Sequence, residues 1–306
     1  MISVVISTFN PKIKTLQKTI SGLKNQTLKL ENWELIIIDN NSTHPVEVDL
    51  SWHPNSKIVK EPKPGLTYGR LKGFSLAKGE IIVMVDDDNI LNQDYLNNCL
   101  IIFNNNQKLG AIGGKSIPLF ESKPPPWLKD FYTNLALRDL GENEIIETWK
   151  MEYPEISPIG AGMGIRRIAL DKYLQKIATE VNITTDRIGS SLTSGGDNDI
   201  ILEVLKDGWQ VGYFPQLSLK HIIPQQRMTS SYISKLVNNT NKSWVLLLES
   251  HGINPWNKIP KWTLSLRKLK SFVAYQAWKN KTNYINWQGA CGLFGGLASI
   301  KNAEKA

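Results

Sequence analysis

Over the first 90 positions the apolar residues come in short unbroken runs, each closed by a polar cluster. Ile2-Ser3-Val4-Val5-Ile6 leads into Ser7-Thr8-Phe9-Asn10-Pro11, Leu35-Ile36-Ile37-Ile38 into Asp39-Asn40-Asn41-Ser42, and Ile81-Ile82-Val83-Met84-Val85 into Asp86-Asp87-Asp88-Asn89. Short apolar, β-branched runs bounded by turn formers predict buried strands. Ile58-Val59-Lys60 predicts a shorter one, stopped by the breaker-rich Glu61-Pro62-Lys63-Pro64-Gly65. Between these runs the period changes. Ile13, Leu16, Ile20 and Leu23 predict a helix within 12–29, and Leu71, Phe74 and Leu76 one over 67–78. Strands alternating with helices mean βαβ units and a largely parallel sheet. Continuous rather than alternating apolar runs mean that both sheet faces are covered. Ligands of such sheets bind beyond the carboxyl ends of the strands, so the three polar clusters are expected along one edge.

Beyond residue 110 the pattern is less regular. Ala111-Ile112-Gly113-Gly114 predicts a strand end, and Lys123-Pro124-Pro125-Pro126-Trp127 a rigid extended segment. A glycine-rich stretch, Ile159–Ile165, precedes a helix over 166–180. A small-residue loop, Leu192–Asp199, opens a helix over Ile200–Lys206. Val211–Phe214 and Leu217–Leu219 predict short strands leading to His221. Residues 229–250 and 261–280 are helical by spacing; Gly289–Ile300 is the least polar late stretch, short and with four glycines.

Composition adds exclusions. With 306 residues, 41% hydrophobic and 21% charged, the chain is an ordinary globular one of one large or two small domains. Cys99 and Cys291 are too few for a disulfide scaffold or a zinc cluster and suggest a reducing compartment. No basic segment precedes the first apolar run, and nowhere do 18 apolar residues run together, so the protein is expected in the cytoplasm. Charge is uneven. Residues 1–220 carry 24 Lys/Arg against 26 Asp/Glu, and residues 221–306 carry 12 against 2. Five of the ten tryptophans lie in that basic part. Such a split suggests an anionic partner for one part only, a membrane surface or another polyanion, against the plainer reading of a solvated basic face.

Three groups of residues could carry chemistry. Asp86-Asp87-Asp88 repel one another unless a cation neutralises them, and hard divalent ions shared with substrate phosphates take such carboxylates; the alternative is a solvated acidic turn. Asp197 and Asp199 follow Gly195-Gly196 at a helix start. Either could be an N-cap, or a general base on a hydroxyl. His221 could complete a metal site beside the acidic triad, and Arg227 could meet a phosphate by its planar fork. Gly160-Ala161-Gly162-Met163-Gly164 does not match the G-x-G-x-x-G dinucleotide fingerprint.

Taken together, Val4–Asn10, Glu34–Ser42, Gly65–Gly79 running into Asp86-Asp87-Asp88, Gly195-Gly196-Asp197, and His221 with Arg227 resemble family 2 glycosyltransferases of the GT-A fold, of the bacterial cell-surface polysaccharide type. The resemblance covers roughly residues 1–230. It implies an inverting enzyme moving a sugar from a nucleotide donor, expected as a UDP-sugar, to a glycan or lipid-linked acceptor with Mn²⁺ or Mg²⁺. Thr8, Asn10 and Asp39 would line the nucleoside pocket, with Arg70 near the nucleotide. Asp86 and Asp87 would contact ribose and diphosphate. Asp88, with His221, would hold the metal, and Asp197 would be the catalytic base, with Asp199 the alternative. Two positions depart from the family pattern: Leu71 follows Arg70 where Asn is usual, and Gly196 stands where Glu usually precedes the catalytic Asp.

The expected organisation is a GT-A domain over 1–226, with a nucleotide-binding part (1–110) and an acceptor-binding part (111–226), and a basic, Trp-rich helical extension over 227–306. The extension suggests peripheral binding to an anionic membrane surface on the inner face of the plasma membrane; no nucleic acid is expected. Two rivals differ in class. A nucleotidyltransferase would want a glycine-rich basic loop after the first strand, where Ser7–Pro11 stands. A non-enzymatic polyanion-binding protein would need only the tail.

Overall fold

The structure, a computed structural model, describes residues 1–179 and 195–300. Residue 180, at the end of the predicted 166–180 helix, and Leu192–Ser194 of the predicted small-residue loop lie outside the described residues. The chain divides into two compact units. One draws on Met1–Glu121, Ala136–Gly189 and Gly196–Ile223, the other on Ser122–Leu135, Ser190–Gly195 and Pro224–Ala306.

In chain order the first unit contains β1 (Ile2–Thr8), α1 (Ile13–Lys24), β2 (Trp33–Asp39), β3 (Ser56–Lys60), α2 (Leu66–Leu76), β4 (Ile81–Val85), β5 (Asn89–Leu91) and α3 (Tyr95–Asn105). It continues with β6 (Leu109–Phe120), β7 (Ile145–Glu147), β8 (Gly164–Arg166), α4 (Asp171–Thr179), α5 (Gly196–Lys206) and β9 (Gln210–Ile223). The strands form one sheet in the order β3-β2-β1-β4-β8-β6-β9-β5, with β7 paired to β9. The expected parallel pairing holds for β3-β2-β1-β4 and for β6 with β9. β8, β5 and β7 join antiparallel, so the second half of the sheet is mixed.

The unbroken apolar runs resolve by period two. Val4, Ile6, Leu35, Ile37, Val83 and Val85 face one core with Leu16 and Leu23 of α1 and Leu96 and Phe103 of α3. Val5, Ile36, Ile38, Ile82 and Met84 face the other, with Phe74 of α2, Tyr173 of α4 and Ile200 of α5. Two buried faces require apolar residues at every position, which is why alternation is absent. The two short strands predicted around 211–219 are one strand, β9, with its pairing to β6 shifted between Gly113 and Lys115. Pro215 lies in the skipped segment; proline has no N–H for the ladder, and a bulge accommodates it.

The second unit is helical: α6 (Ser230–Ser250), α7 (Leu264–Ala274) and α8 (Lys281–Ser299). The stretch Gly289–Ile300 thus belongs to a 19-residue helix. Its glycines fit α6: a Cβ on Gly292 would fall on the Asn238 carbonyl, and one on Gly296 would come within 2.8 Å of Val245. Val245 and Leu297 anchor a small core there with Ile259. Among the described residues no helix is long and apolar enough to cross a membrane.

Candidate active site

The three polar clusters do meet at one sheet edge. Thr8 pairs in register with Asp39, and Ile6 with Val85, so the ends of β1, β2 and β4 lie side by side. The loop after β2 is built by Asp39, whose two carboxylate oxygens accept from the Ser42 N–H (3.0 Å) and the Val46 N–H (3.4 Å). Asn10, in the left-handed region at φ 48°, accepts at its side-chain oxygen from the Thr43 N–H (2.8 Å), and its own N–H donates to Ser42 Oγ (2.8 Å). Asn10 is exposed and Asp39 buried, so one rims and the other underpins a pocket of about 500 Å³ lined by Asn10, Pro11, Ile13 and Thr43–Val46.

Asp86–Asn89 form a turn. The Asp86 N–H donates to Asn89 Oδ1 (3.1 Å) and the Asn89 N–H returns to the Asp86 carbonyl (3.1 Å). Thr8 Oγ1 donates to the Asp87 carboxylate, and Thr19 Oγ1 to the Asp87 carbonyl (3.0 Å). Asn89, fully buried, also donates to Asp88 Oδ1 (3.2 Å). Because β5 runs antiparallel to β9 with Asn89 opposite His221, His221 Nε2 comes 3.3 Å from Asp88 Oδ1. Both side chains are buried, and among the described residues His221 Nδ1 has no hydrogen-bond partner.

Arg70 reaches this edge through α2. A Cβ on Gly73 would collide with Val5, and one on Gly69 would come within 3.2 Å of Ser7 Cβ. The two glycines let the helix lie close on β1 and bury Arg70, which forms an ion pair with Asp197 in the first turn of α5. The Gly160 N–H donates to the second Asp197 oxygen (3.0 Å). A Cβ at Gly160 would strike that carboxylate and come 2.9 Å from Arg70 Nη2. Asp199 points elsewhere: it is buried, with Lys176 Nζ at 2.6 Å, and Lys176 also reaches Glu203 (3.1 Å).

Burial pushes the Asp86 carboxyl up from its ordinary value, the charge of Asp88 adds to this, and Arg70 opposes it; Asp197 also raises it and His221 lowers it. These five groups therefore share one electrostatic site. Arg227 belongs to the second unit, in a short helical turn over Gln225–Met228.

Spacing alone did not single out Asn89, which closes the acidic turn, or Gly160, which holds Asp197. The glycine cluster around Gly160 was the available signal. It is no dinucleotide loop, but it lies against β4, where the Met84 N–H donates to the Met163 carbonyl (2.8 Å).

The donor set suits a hard divalent cation. One carboxylate and one imidazole 3.3 Å apart match neighbouring corners of an octahedral ion with bonds of about 2.1 Å, which lie about 3 Å apart. An ion held there would draw its further ligands from diphosphate oxygens and water.

Residues 3–174 match the family Glycosyl transferase family 2. The chain belongs to that family and is a glycosyltransferase. Over 233 residues it is 23% identical to the glucosyl-dolichyl phosphate glucuronosyltransferase of Haloferax volcanii, covering 74% of this chain and 70% of that one. Over 168 residues it is 29% identical to the poly(ribitol-phosphate) beta-N-acetylglucosaminyltransferase TarP of Staphylococcus aureus, covering 47% of this chain and 45% of TarP. The solved structure of S. aureus TarS 1-349 in complex with UDP aligns with a TM-score of 0.53 at 15% identity, over 94% of this chain and 90% of that one. The fold is thus the nucleotide-sugar transferase fold expected from the sequence.

Proposed function

We propose that the protein transfers a sugar, with inversion, from a UDP-sugar to a hydroxyl of a glycan or lipid-linked acceptor, using a divalent cation and Asp197 as the general base. The observation that carries this reading is the convergence of Arg70, Asp86, Asp88, Asp197 and His221 at the carboxyl edge of the sheet. The comparisons lend support: TarS has been solved with UDP and with UDP-GlcNAc, and by its name the Haloferax enzyme acts on a glucosyl-dolichyl phosphate.

In this reading residues 1–110 bind the nucleotide, 111–226 the acceptor, and 227–306 form a basic extension. The pocket rimmed by Asn10 takes the nucleoside. Thr8, which holds Asp87, and Asp39, which holds the pocket's loop, line the nucleoside, with Asp39 reading the base. Asp86 and Asp87 face ribose and diphosphate, with Arg70 close by. Asp88 and His221 would hold Mn²⁺ or Mg²⁺, whose positive charge would offset that of the leaving diphosphate. Asp197 takes the acceptor proton. The Arg70 guanidinium pairs with one of its oxygens and the Gly160 N–H donates to the other, which fixes the carboxylate in place. As the hydroxyl oxygen bonds to the anomeric carbon, its proton passes to Asp197 and the diphosphate departs from the opposite face, inverting the centre. Asp199, neutralised by Lys176, is the weaker candidate. Work on a lipid-linked acceptor fits the inner face of the plasma membrane.

The test is diphosphate release by purified protein with Mn²⁺ and a panel of UDP- and GDP-sugars. Release from a UDP-sugar, lost on chelation and in Asp88→Ala, supports the reading. Silence across the panel with no thermal shift from any nucleotide overturns it. Transfer undiminished in Asp197→Asn moves the base elsewhere.

A further inference from the structure

The helix α7 wears its amphipathicity outward. Leu266, Leu269 and Val273 are 64%, 64% and 58% exposed, and Trp262, just before the helix, is 78% exposed. Their spacing of four, three and four residues makes a single stripe on one side of a helix. The side toward α8 is supplied by other residues: Ser271 is the buried position of α7, Phe272 stacks edge-on with Trp287 (5.0 Å between ring centroids), and Trp287 Nε1 donates to the Lys268 carbonyl (3.0 Å). The apolar stripe therefore has no role in holding the unit together. Trp278, 62% exposed and 5.7 Å from the Phe272 ring, continues the aromatic surface past the helix end.

The surroundings of the stripe are cationic. Lys261, Arg267, Lys270, Lys279 and Lys281 are all exposed. Between residues 224 and 300 there are ten Lys/Arg and one acidic residue, Glu249. An exposed apolar stripe rimmed by cations, with tryptophans at both ends, has the chemistry of a surface that enters the headgroup region of an anionic bilayer. We propose that α7, with Trp262 and Trp278, docks this protein on an anionic lipid surface. A nucleic acid would use the cations but give Leu266, Leu269 and Val273 nothing apolar to bury against. A second copy of the chain would bring its own cations to the same face.

The experiment is co-sedimentation of the full chain with vesicles of phosphatidylcholine alone or with 30% phosphatidylserine (a composition chosen near that of anionic leaflets), at roughly 0.1 M and 0.5 M salt. The wild type is expected to partition at least tenfold better onto the anionic vesicles at low salt, with a blue shift in tryptophan fluorescence. The variant Leu266→Ser/Leu269→Ser/Val273→Ser should lose most of that binding, with its thermal melt unchanged because the three positions are exposed. Arg267→Glu/Lys270→Glu should abolish the preference for anionic lipid. Three outcomes overturn the proposal: no wild-type binding to either vesicle; binding undiminished in the triple serine variant; or a concentration-dependent dimer that the triple variant converts to monomer. Binding that survives the triple variant and is competed away by RNA assigns the cations to nucleic acid instead. Diphosphate release without vesicles should be the same in all three proteins, separating failure here from failure of the transfer reading.

Discussion

The two units use the same residue types in opposite ways. In the sheet unit, charge is drawn inward and paired: Arg70 with Asp197, and Lys176 with Asp199 and Glu203, while the His221 imidazole stands beside Asp88. Its large apolar residues are covered on both sheet faces. In the helical unit, cations stand in solvent and several of the largest apolar side chains stand there with them. Buried charge without a counter-charge is costly; Asp197 and Asp199 each face a cation, and the Arg70–Asp197 pair belongs to the site. Exposed leucine carries no such penalty within a folded unit; it marks a surface whose purpose lies outside the fold. What separates a site from a docking face here is burial, not composition.

The largest effect that could break this contrast is on catalysis. Asp197→Asn keeps the size of the side chain but removes the base, and transfer should fall about a thousandfold with little change in nucleotide affinity by titration. Equal activity would mean that the Arg70–Asp197 pair is only structural.

Next come two substitutions in the helical unit that look alike in sequence. Ile285 is fully buried, and Ile285→Ala should cost about 3 kcal/mol. Leu266→Ser removes an exposed residue and should change stability by less than about 0.5 kcal/mol. Chemical denaturation of both variants measures the difference. A large loss for Leu266→Ser would mean that the stripe is covered after all.

Arg70→Ala tests the inward charge. It leaves Asp197 without its cation, and since the Asp197 side chain keeps 26% of its exposure, about 2 kcal/mol is expected rather than the larger cost of a fully buried pair. Asp197→Asn should cost less, since it keeps a polar group against Gly160. A double-mutant cycle reads the coupling, and additivity within about 0.5 kcal/mol would sink the pairing.

Much of this was readable in the chain, for reasons that differ by element. β1, β2 and β4 announce themselves because burial on both faces forces every position to be apolar, and their polar ends follow as the ligand edge. The tie of His221 to the acidic triad was also anticipated, although its cause, β5 laid antiparallel on β9, was not. α8 was missed because its glycines lower local helix propensity. Their reason is tertiary, since at Gly292 a side chain would fall on the Asn238 carbonyl. The Gly160–Asp197 contact joins residues 37 apart; glycine composition hinted at a close approach, but nothing local named the partner. The motif marks Asp39 as lining the nucleoside pocket, and its bonds to Ser42 and Val46 add a structural role that a motif does not display.

The smallest effect is the most specific to the site. Asp86 has its pKa raised, first by burial and then by the charge of Asp88. The folded chain therefore holds this proton more tightly than the unfolded chain, whose carboxyl titrates near the ordinary 3.8. For such a group stability is greatest below the unfolded pKa and declines as pH rises through the raised one, opposite in sign to a carboxylate stabilised by a salt bridge. The loss is about 1.4 kcal/mol for each unit by which the pKa is raised. Urea denaturation of wild type and Asp86→Asn from pH 4 upward should therefore show the wild type losing ground to the variant as pH increases. Mn²⁺ should narrow the gap, because positive charge at Asp88 removes the repulsion that Asp86 feels. A gap independent of pH would mean that Asp86 is solvated and paired as an ordinary surface carboxylate, and the acidic turn would then lose its claim to be part of an inward-facing site.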